Sequence, residues 1–420
     1  MTQIALGTAL GQAFMLLSLP LLTRLYTPED YGAIGIFLAL LVPLNVVASL
    51  RYEFAIPLPK DPSDAKHLLV LSLGITLVIA GLVAAFLQSF GDNLLIWVGG
   101  EALSGYLWLL PINVVFAGVY LALSYVAIRQ QAFVPLALSK VAEGVGQSVT
   151  QLLFGWLQVG LFGLISGLLV RFALAAISLI DMVSALFTPH WQVSPQRLWQ
   201  LARSYRKFPQ YNASATFLQF ASMHLPVLFL AATYGVQVAG WFSLGQRVLE
   251  APITFLSKSA SQVYLGELSM SLRQDDGNAR HLYSKTFWRQ SKLGLLLAVM
   301  LILPAPWLFP WLFGETWRVT GVYVQALLLM FISQFLAQSL VAETLTVIGH
   351  QRWQLVFEVI KVTMILLIFS LARYITVAPL VTVVAYGGVI TLINAVYLKI
   401  SWNLIKNYDK KSVIKNKTPL

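Results

Sequence analysis

What most constrains this chain is a recurrence of apolar runs about twenty residues long, each enough at ~1.5 Å per helical residue to cross a hydrocarbon core of ~30 Å. Twelve such runs follow one another, over approximately residues 2–23, 31–50, 67–90, 105–127, 134–157, 161–185, 211–234, 238–260, 293–313, 321–348, 354–373 and 378–402. Backbone polar groups in hydrocarbon must bond within their own segment, so the runs read as helices. The chain is therefore an all-α polytopic membrane protein of 12 transmembrane helices. A composition of 58% hydrophobic and 11% charged residues excludes a soluble globule. The absence of cysteine excludes disulfides and thiolate metal chemistry. The first run follows Met1 with no basic leader and no small-residue cleavage site, so it reads as a span and not as a signal peptide.

Orientation follows from the basic residues. Nineteen Lys and Arg fall in the even-numbered loops and the tail, among them Arg51, Arg129, Arg197, Arg206, Lys285 and Lys411, against only Arg24, Arg318 and Arg373 in the odd-numbered loops. By the positive-inside rule both termini are cytoplasmic. The net charge of +11 is then a topology signal and an attraction to anionic lipid, not a sign of nucleic acid. The longest outward connection, residues 91–104, is too short for a catalytic domain, which argues against an enzyme of glycan assembly. The inward loops 186–210 and 266–292 are basic. Arg197-Leu198-Trp199-Gln200-Leu201-Ala202-Arg203 has the pattern of an amphipathic helix lying on an anionic leaflet.

The basic stretch 187–210 divides the chain into a six-span lobe over 1–186 and another over 211–402, with a basic tail at 403–420. A weak internal repeat supports the division. Leu19-Pro20 has a counterpart in Leu225-Pro226, and Pro43 in Pro252, at offsets of about 206 to 209. Ile128 through Phe133 with Lys140-Val141 matches Ile348 through Trp353 with Lys361-Val362, at about 220 to 221. Six spans per half make the repeats parallel, and such pairs enclose a central cavity.

Charges inside spans mark function or pairing, because one at mid-membrane costs about 2.5 to 3.5 kcal/mol. Arg171 falls in the sixth span, Arg247 with Glu250 in the eighth, Lys140 with Glu143 in the fifth, and Glu358 with Lys361 in the eleventh. The last three pairs have i, i+3 spacing, so each can pair on one helix face. Arg171 has no opposite charge one turn away, Asp181 being too distant along the same helix, so its counter-ion lies on another helix or on a ligand. His224, in the seventh span, suits either a bond to a neighbouring helix or a substrate or proton role. Lys258 fits the inner end of the eighth.

Other chemistries leave no trace. No GxxxxGK[ST], HExxH or GxSxG occurs and the five histidines are dispersed, so no cofactor and no metal are expected. Near the N-terminus, RLYTPEDYG at 24–32 has a hydroxyl, a proline and two carboxylates at the start of a helix.

PLLTRLYTPEDYG at 20–32, followed by RYEFAIPLPKDPSDA at 51–65, resembles the polysaccharide-biosynthesis (Wzx-type) oligosaccharide flippases of the multidrug, oligosaccharidyl-lipid and polysaccharide exporter superfamily. The resemblance implies a two-lobe flippase in the bacterial plasma (inner) membrane. It would move an undecaprenyl-diphosphate-linked oligosaccharide, such as an O-antigen unit of lipopolysaccharide, from inner to outer leaflet by alternating access. A cationic lumen is implied, for which Arg171, Arg247, Lys140 and Lys361 are candidates, with Arg24 and Arg51 at the ends of the second span as headgroup contacts. Glu250, Glu143, Glu358, His224 and Asp181 are candidates for proton or ion coupling or for pairing. Partners would be lipid-linked oligosaccharide, anionic lipid and glycan-polymerisation machinery. The other reading is a multidrug or small-cation antiporter of the same superfamily, which would rely on buried carboxylates.

Overall fold

The computed structural model describes residues 2–181, 192–274, 278–348, 350 and 352–417, and among these there are helices and no strands. In order they are α1 Thr2–Leu25, α2 Pro28–Val47, α3 Pro62–Val98, α4 Leu109–Arg129, α5 Phe133–Trp156, α6 Leu161–Ile177, α7 Pro195–Ser204 and α8 Ser214–Tyr234. They continue with α9 Val236–Gln274, α10 Ala279–Leu297, α11 Ala305–Phe313, α12 Arg318–Ala326, α13 Leu328–Leu336, α14 Ala342–Val347, α15 Arg352–Tyr374 and α16 Pro379–Lys417. Each of the twelve apolar runs is mostly helical where it is described. Eight helices are long and apolar enough to span a membrane, or nine if the bent pair 279–302 and 305–313 is one span. The other three expected spans are α5, which carries a polar face, α6, a shorter apolar helix of 17 residues, and α9.

Three expectations of loop structure are corrected. The outward connection begins at Gly99 and not at residue 91, since α3 runs 37 residues, ~55 Å, to a left-handed glycine cap at φ 66°. The inward loop at 266–292 is mostly helix. Tyr264 and Leu268 on α9 and Ala279 and Tyr283 on α10, each pair one turn apart, close a buried cluster with Leu336, Leu340 and Ile405. The ninth span starts at Ala279 and bends by 55° ahead of Ala305, where Pro304 and Pro306 remove amide donors. The part of the first basic loop at 182–191, and the side chains of Pro252, Lys258 and residues 410–417, lie outside the described residues.

The helices form two compact units, residues 1–240 and 241–420. The boundary falls beyond the linker at 187–210, because α8 packs on α2 within the first unit. Glycine makes that unit tight. A Cβ on Gly11 would lie 2.3 Å from the Lys140 carbonyl oxygen, and one on Gly144 2.2 Å from that of Gly11, so α1 and α5 touch backbone to backbone. Pro20 and Pro226, the prolines matched in the repeat, both sit inside helices, α1 and α8.

The motif at 24–32 is built into this packing. Thr27 and Asp30 form a reciprocal capping box with Pro28 at the first helical position. Tyr26 is buried and its hydroxyl donates to the Gln151 carbonyl at 2.8 Å.

Candidate functional site

In the first unit α5 carries a polar stripe, Lys140, Glu143, Gln147 and Gln151, spaced three and four residues apart along one face. Glu143 is 8% exposed and lies between two cations. Lys140 Nζ donates to Glu143 Oε2 at 3.2 Å, and the Arg171 guanidinium, reaching across from α6, donates to Glu143 Oε1. Arg171 thus finds a counter-ion on another helix, one of the two places its sequence surroundings allow. Each cation also lies over an aromatic ring, Lys140 4.8 Å from Tyr120 and Arg171 4.6 Å from Phe172. Two cations share one carboxylate, so the cluster keeps a net positive charge. Arg171 Nε is buried without a hydrogen-bond partner among the described residues.

The stripe continues toward the α2 start. Gln151 Nε2 donates to the Leu164 carbonyl at 2.9 Å, and Ser18 and Ser148 hydroxyls meet at 3.2 Å. The side-chain oxygens of Gln147 and Gln151 are buried without partners among the described residues. These glutamines, and Tyr120, are the residues that reading the sequence for charges passes over. The spacing of the glutamines from Lys140 and Glu143 is the available signal; Tyr120, on α4, has none.

The motif at 51–65 makes a second cluster at the opposite end of α2. Leu50 and Arg51 both adopt left-handed backbone, at φ 50° and 65°. Arg51 lies 3.7 Å from the fully buried Glu53, which also accepts from the Ser49 hydroxyl. The Arg51 guanidinium stacks 4.8 Å from the Phe54 ring. Arg129 donates to the Ile56 and Pro59 carbonyls at 3.2 and 2.7 Å, which fixes the loop. The amphipathic helix expected over 197–203 forms as α7, but its Leu201 is buried against Ile56, Leu68 and Leu69 of the protein. Arg197 grips Asp64 with two bonds of 2.6 and 2.7 Å, which raises the guanidinium pKa further. His67 Nε2 accepts from the Ser194 amide at 3.2 Å, and Tyr52 donates to the Ala202 carbonyl at 2.9 Å. Trp199 remains 73% exposed.

The other candidates are dispersed. Arg24 is exposed at the end of α1, Asp181 is exposed beyond α6, and His224 is half-buried on α8. In the second unit Lys361 donates to Glu358 at 2.9 Å. Arg247 and Glu250 lie on α9, where Glu250 accepts from Gln246 and feels the Arg247 charge. Among the described residues no three His, Asp or Glu come together as a metal site.

Solved transporters superpose on this helical fold. An inward-facing multidrug resistance MATE family transporter of the MOP superfamily matches at a TM-score of 0.73 and 15% identity, over 99% of this chain and 96% of that one. The lipid II flippase MurJ in an inward closed conformation matches at 0.72 and 12%, over 100% and 94%. A MOP superfamily transporter from Pyrococcus furiosus matches at 0.64 and 14%, over 99% and 96%. These are likenesses of fold. None of the curated proteins matches the sequence. The family model for polysaccharide biosynthesis protein matches residues 21–322, most of the chain, and the protein belongs to that family. It is a multi-pass membrane protein of that family on the MOP transporter fold.

Proposed function

We propose that the protein is a flippase that moves an undecaprenyl-diphosphate-linked oligosaccharide, an O-antigen or similar surface-glycan repeat unit, from the inner to the outer leaflet of the bacterial inner membrane by alternating access. The observation that carries this reading is the Lys140–Glu143–Arg171 cluster. One carboxylate between two cations leaves a positive charge among spanning helices, and Arg171 Nε has a donor to spare. A diphosphate cannot cross hydrocarbon unaided. A guanidinium with a donor not taken up by the described residues supplies the charge and directed N–H that such a group needs. Membership of a polysaccharide-biosynthesis family and a fold shared with a lipid II flippase support the same cargo class. Arg247, Lys361, Arg24 and Arg51 are further candidate contacts along the route. Anionic lipid and the glycan-polymerisation machinery are the proposed partners.

The test is removal of charge. Arg171→Gln and Arg247→Gln, introduced into a gene-deleted host with protein levels matched to the parent, are expected to abolish surface glycan on gels or by lectin staining. They should also cause lipid-linked oligosaccharide to accumulate on the inner leaflet. Normal glycan in both variants overturns the assignment.

A second reading, a multidrug or small-cation antiporter, draws on one observation. Glu250 has a buried oxygen with no hydrogen-bond partner among the described residues, as a carboxylate that exchanges protons or sodium would. Glu143 and Glu358 are held by lysine or arginine and suit that role less. Drug efflux or a sodium-dependent uptake signal in proteoliposomes, lost in Glu250→Gln, would favour it.

A further inference from the structure

The first unit contains an apolar cleft between α2, α3 and α8, with a volume of about 450 Å³. Every residue lining it is hydrophobic, Pro43 and Val47 on α2, Leu82 and Phe86 on α3, and Phe217 and Leu225 on α8 among them. Leu82 and Phe86 are 62% and 54% exposed, so the cleft is reached from the lipid side. Protein interiors are packed at crystal density, and a hollow of this kind without polar partners takes hydrocarbon and not water. At about 30 Å³ for each water-sized group, close to a methylene, it has room for roughly fifteen such groups. That is a stretch of one hydrocarbon chain and too little for a two-chain phospholipid.

The charges at one end of the cleft say which chain. Val47 on the α2 wall is the last residue of that helix, and the turn after it leads to Arg51 four residues on. Phe217 on the α8 wall is preceded by the exposed Arg206 and Lys207. The two rims meet on one ring. Arg51 stacks 4.8 Å from Phe54, and Phe208, next to Lys207, packs 6.3 Å from Phe54. Arg51 Nε is buried without a hydrogen-bond partner among the described residues. Arg51, Arg206 and Lys207, set against the Glu53 carboxylate that Arg51 pairs with, leave two positive charges near this end of the cleft, more than one phosphodiester carries and a match for two linked phosphates. The Lys and Arg distribution assigns this end to the cytoplasmic face, where the cargo of an outward flippase is loaded.

We propose that the cleft holds the first isoprenoid units of the substrate's tail while its diphosphate rests against Arg51, Arg206 and Lys207, as an entry site distinct from the Lys140–Glu143–Arg171 cluster. This rests on the lipid-linked cargo proposed above. Tail and headgroup are thereby read separately, the tail by volume and the headgroup by charge.

The test uses the full-length protein in vesicles of phosphatidylethanolamine and phosphatidylglycerol. A long-chain polyprenyl diphosphate carrying a diazirine in its first isoprene units is photolysed and the adducts are mapped. Adducts are expected on the peptides bearing Leu82, Phe86 and Leu225. Unlabelled polyprenyl-diphosphate sugar should suppress them at least tenfold, and excess phosphatidylglycerol should leave them unchanged. Ala221→Trp, which fills the cleft, is expected to weaken long-chain binding at least tenfold by native mass spectrometry. It should leave unchanged the binding of inorganic pyrophosphate, which has no tail to enter the cleft, and this also shows that the variant is folded. Equal labelling of Leu6, an exposed α1 residue, or suppression by phosphatidylglycerol would mean that the cleft is ordinary lipid-facing surface and would overturn the proposal. Saturable long-chain binding that Ala221→Trp leaves intact sinks the cleft alone. No saturable binding of any polyprenyl diphosphate by the parent protein sinks the lipid-linked cargo as well.

Discussion

The two units place a lysine at the same point of the repeat and use it differently. In the first, Lys140 pairs three residues forward with Glu143, and Arg171 from α6 joins the same carboxylate. In the second, Lys361 pairs three residues back with Glu358, the position three residues forward is Met364, and α16 carries no charge between Pro379 and Leu398. At this point of the repeat the first unit sets two cations on one carboxylate, and in the second the lysine and the glutamate pair with each other.

The sharpest way to break this comparison is Glu143→Ala. It leaves the half-buried Lys140 and Arg171 side by side without a counter-charge, and the expected loss is about 3 kcal/mol, the low end for a broken buried pair, read as a fall of the thermal unfolding midpoint in detergent. If Glu143→Ala costs no more than Glu358→Ala, the cluster is not the buried triad described. Gly11→Ala comes next. Its new methyl meets the Lys140 carbonyl and must displace α5, at a cost of about 1 to 3 kcal/mol, whereas Gly388→Ala in the second unit meets nothing within 4 Å and should be near neutral. Tyr26→Phe removes the bond to Gln151 and should cost about 1 kcal/mol. Glu358→Gln weakens one i, i+3 pair, for about 0.5 to 1 kcal/mol. Arg197→Ala is expected to be the smallest, a midpoint shift of about 1 °C or less that fades with added salt, because its pair with Asp64 is largely solvent-exposed.

Apolar run length made the helices legible, and i, i+3 spacing made the Lys140–Glu143 and Glu358–Lys361 pairs legible. The partner of Arg171 was legible only as a requirement. Its identity depends on how α6 is rotated against α5, which Gly146 and Gly167 set by admitting Leu174 and Gln151. Helix ends were read short wherever a helix outruns the bilayer. Gly91-Asp92-Asn93 resembles a loop, yet the break comes at Gly99, where a left-handed residue is needed. The amphipathic pattern of 197–203 was read as a lipid-facing helix, because a periodic apolar face states that something covers it and not what does. Asp64, His67 and Tyr52, far away in sequence, supply part of the answer.

The glycine contacts between α1 and α5 have a mechanical consequence. With a carbonyl oxygen where a methyl would sit at both Gly11 and Gly144, the seam has no clearance for one helix to slide a turn past the other, since either shift would drive a side chain into backbone. The pair is a weld. Lys140 and Glu143 ride on it as fixtures on a rigid plate, so any movement of the first unit in the proposed transport cycle is taken up at looser seams, such as the cleft beside α2, α3 and α8.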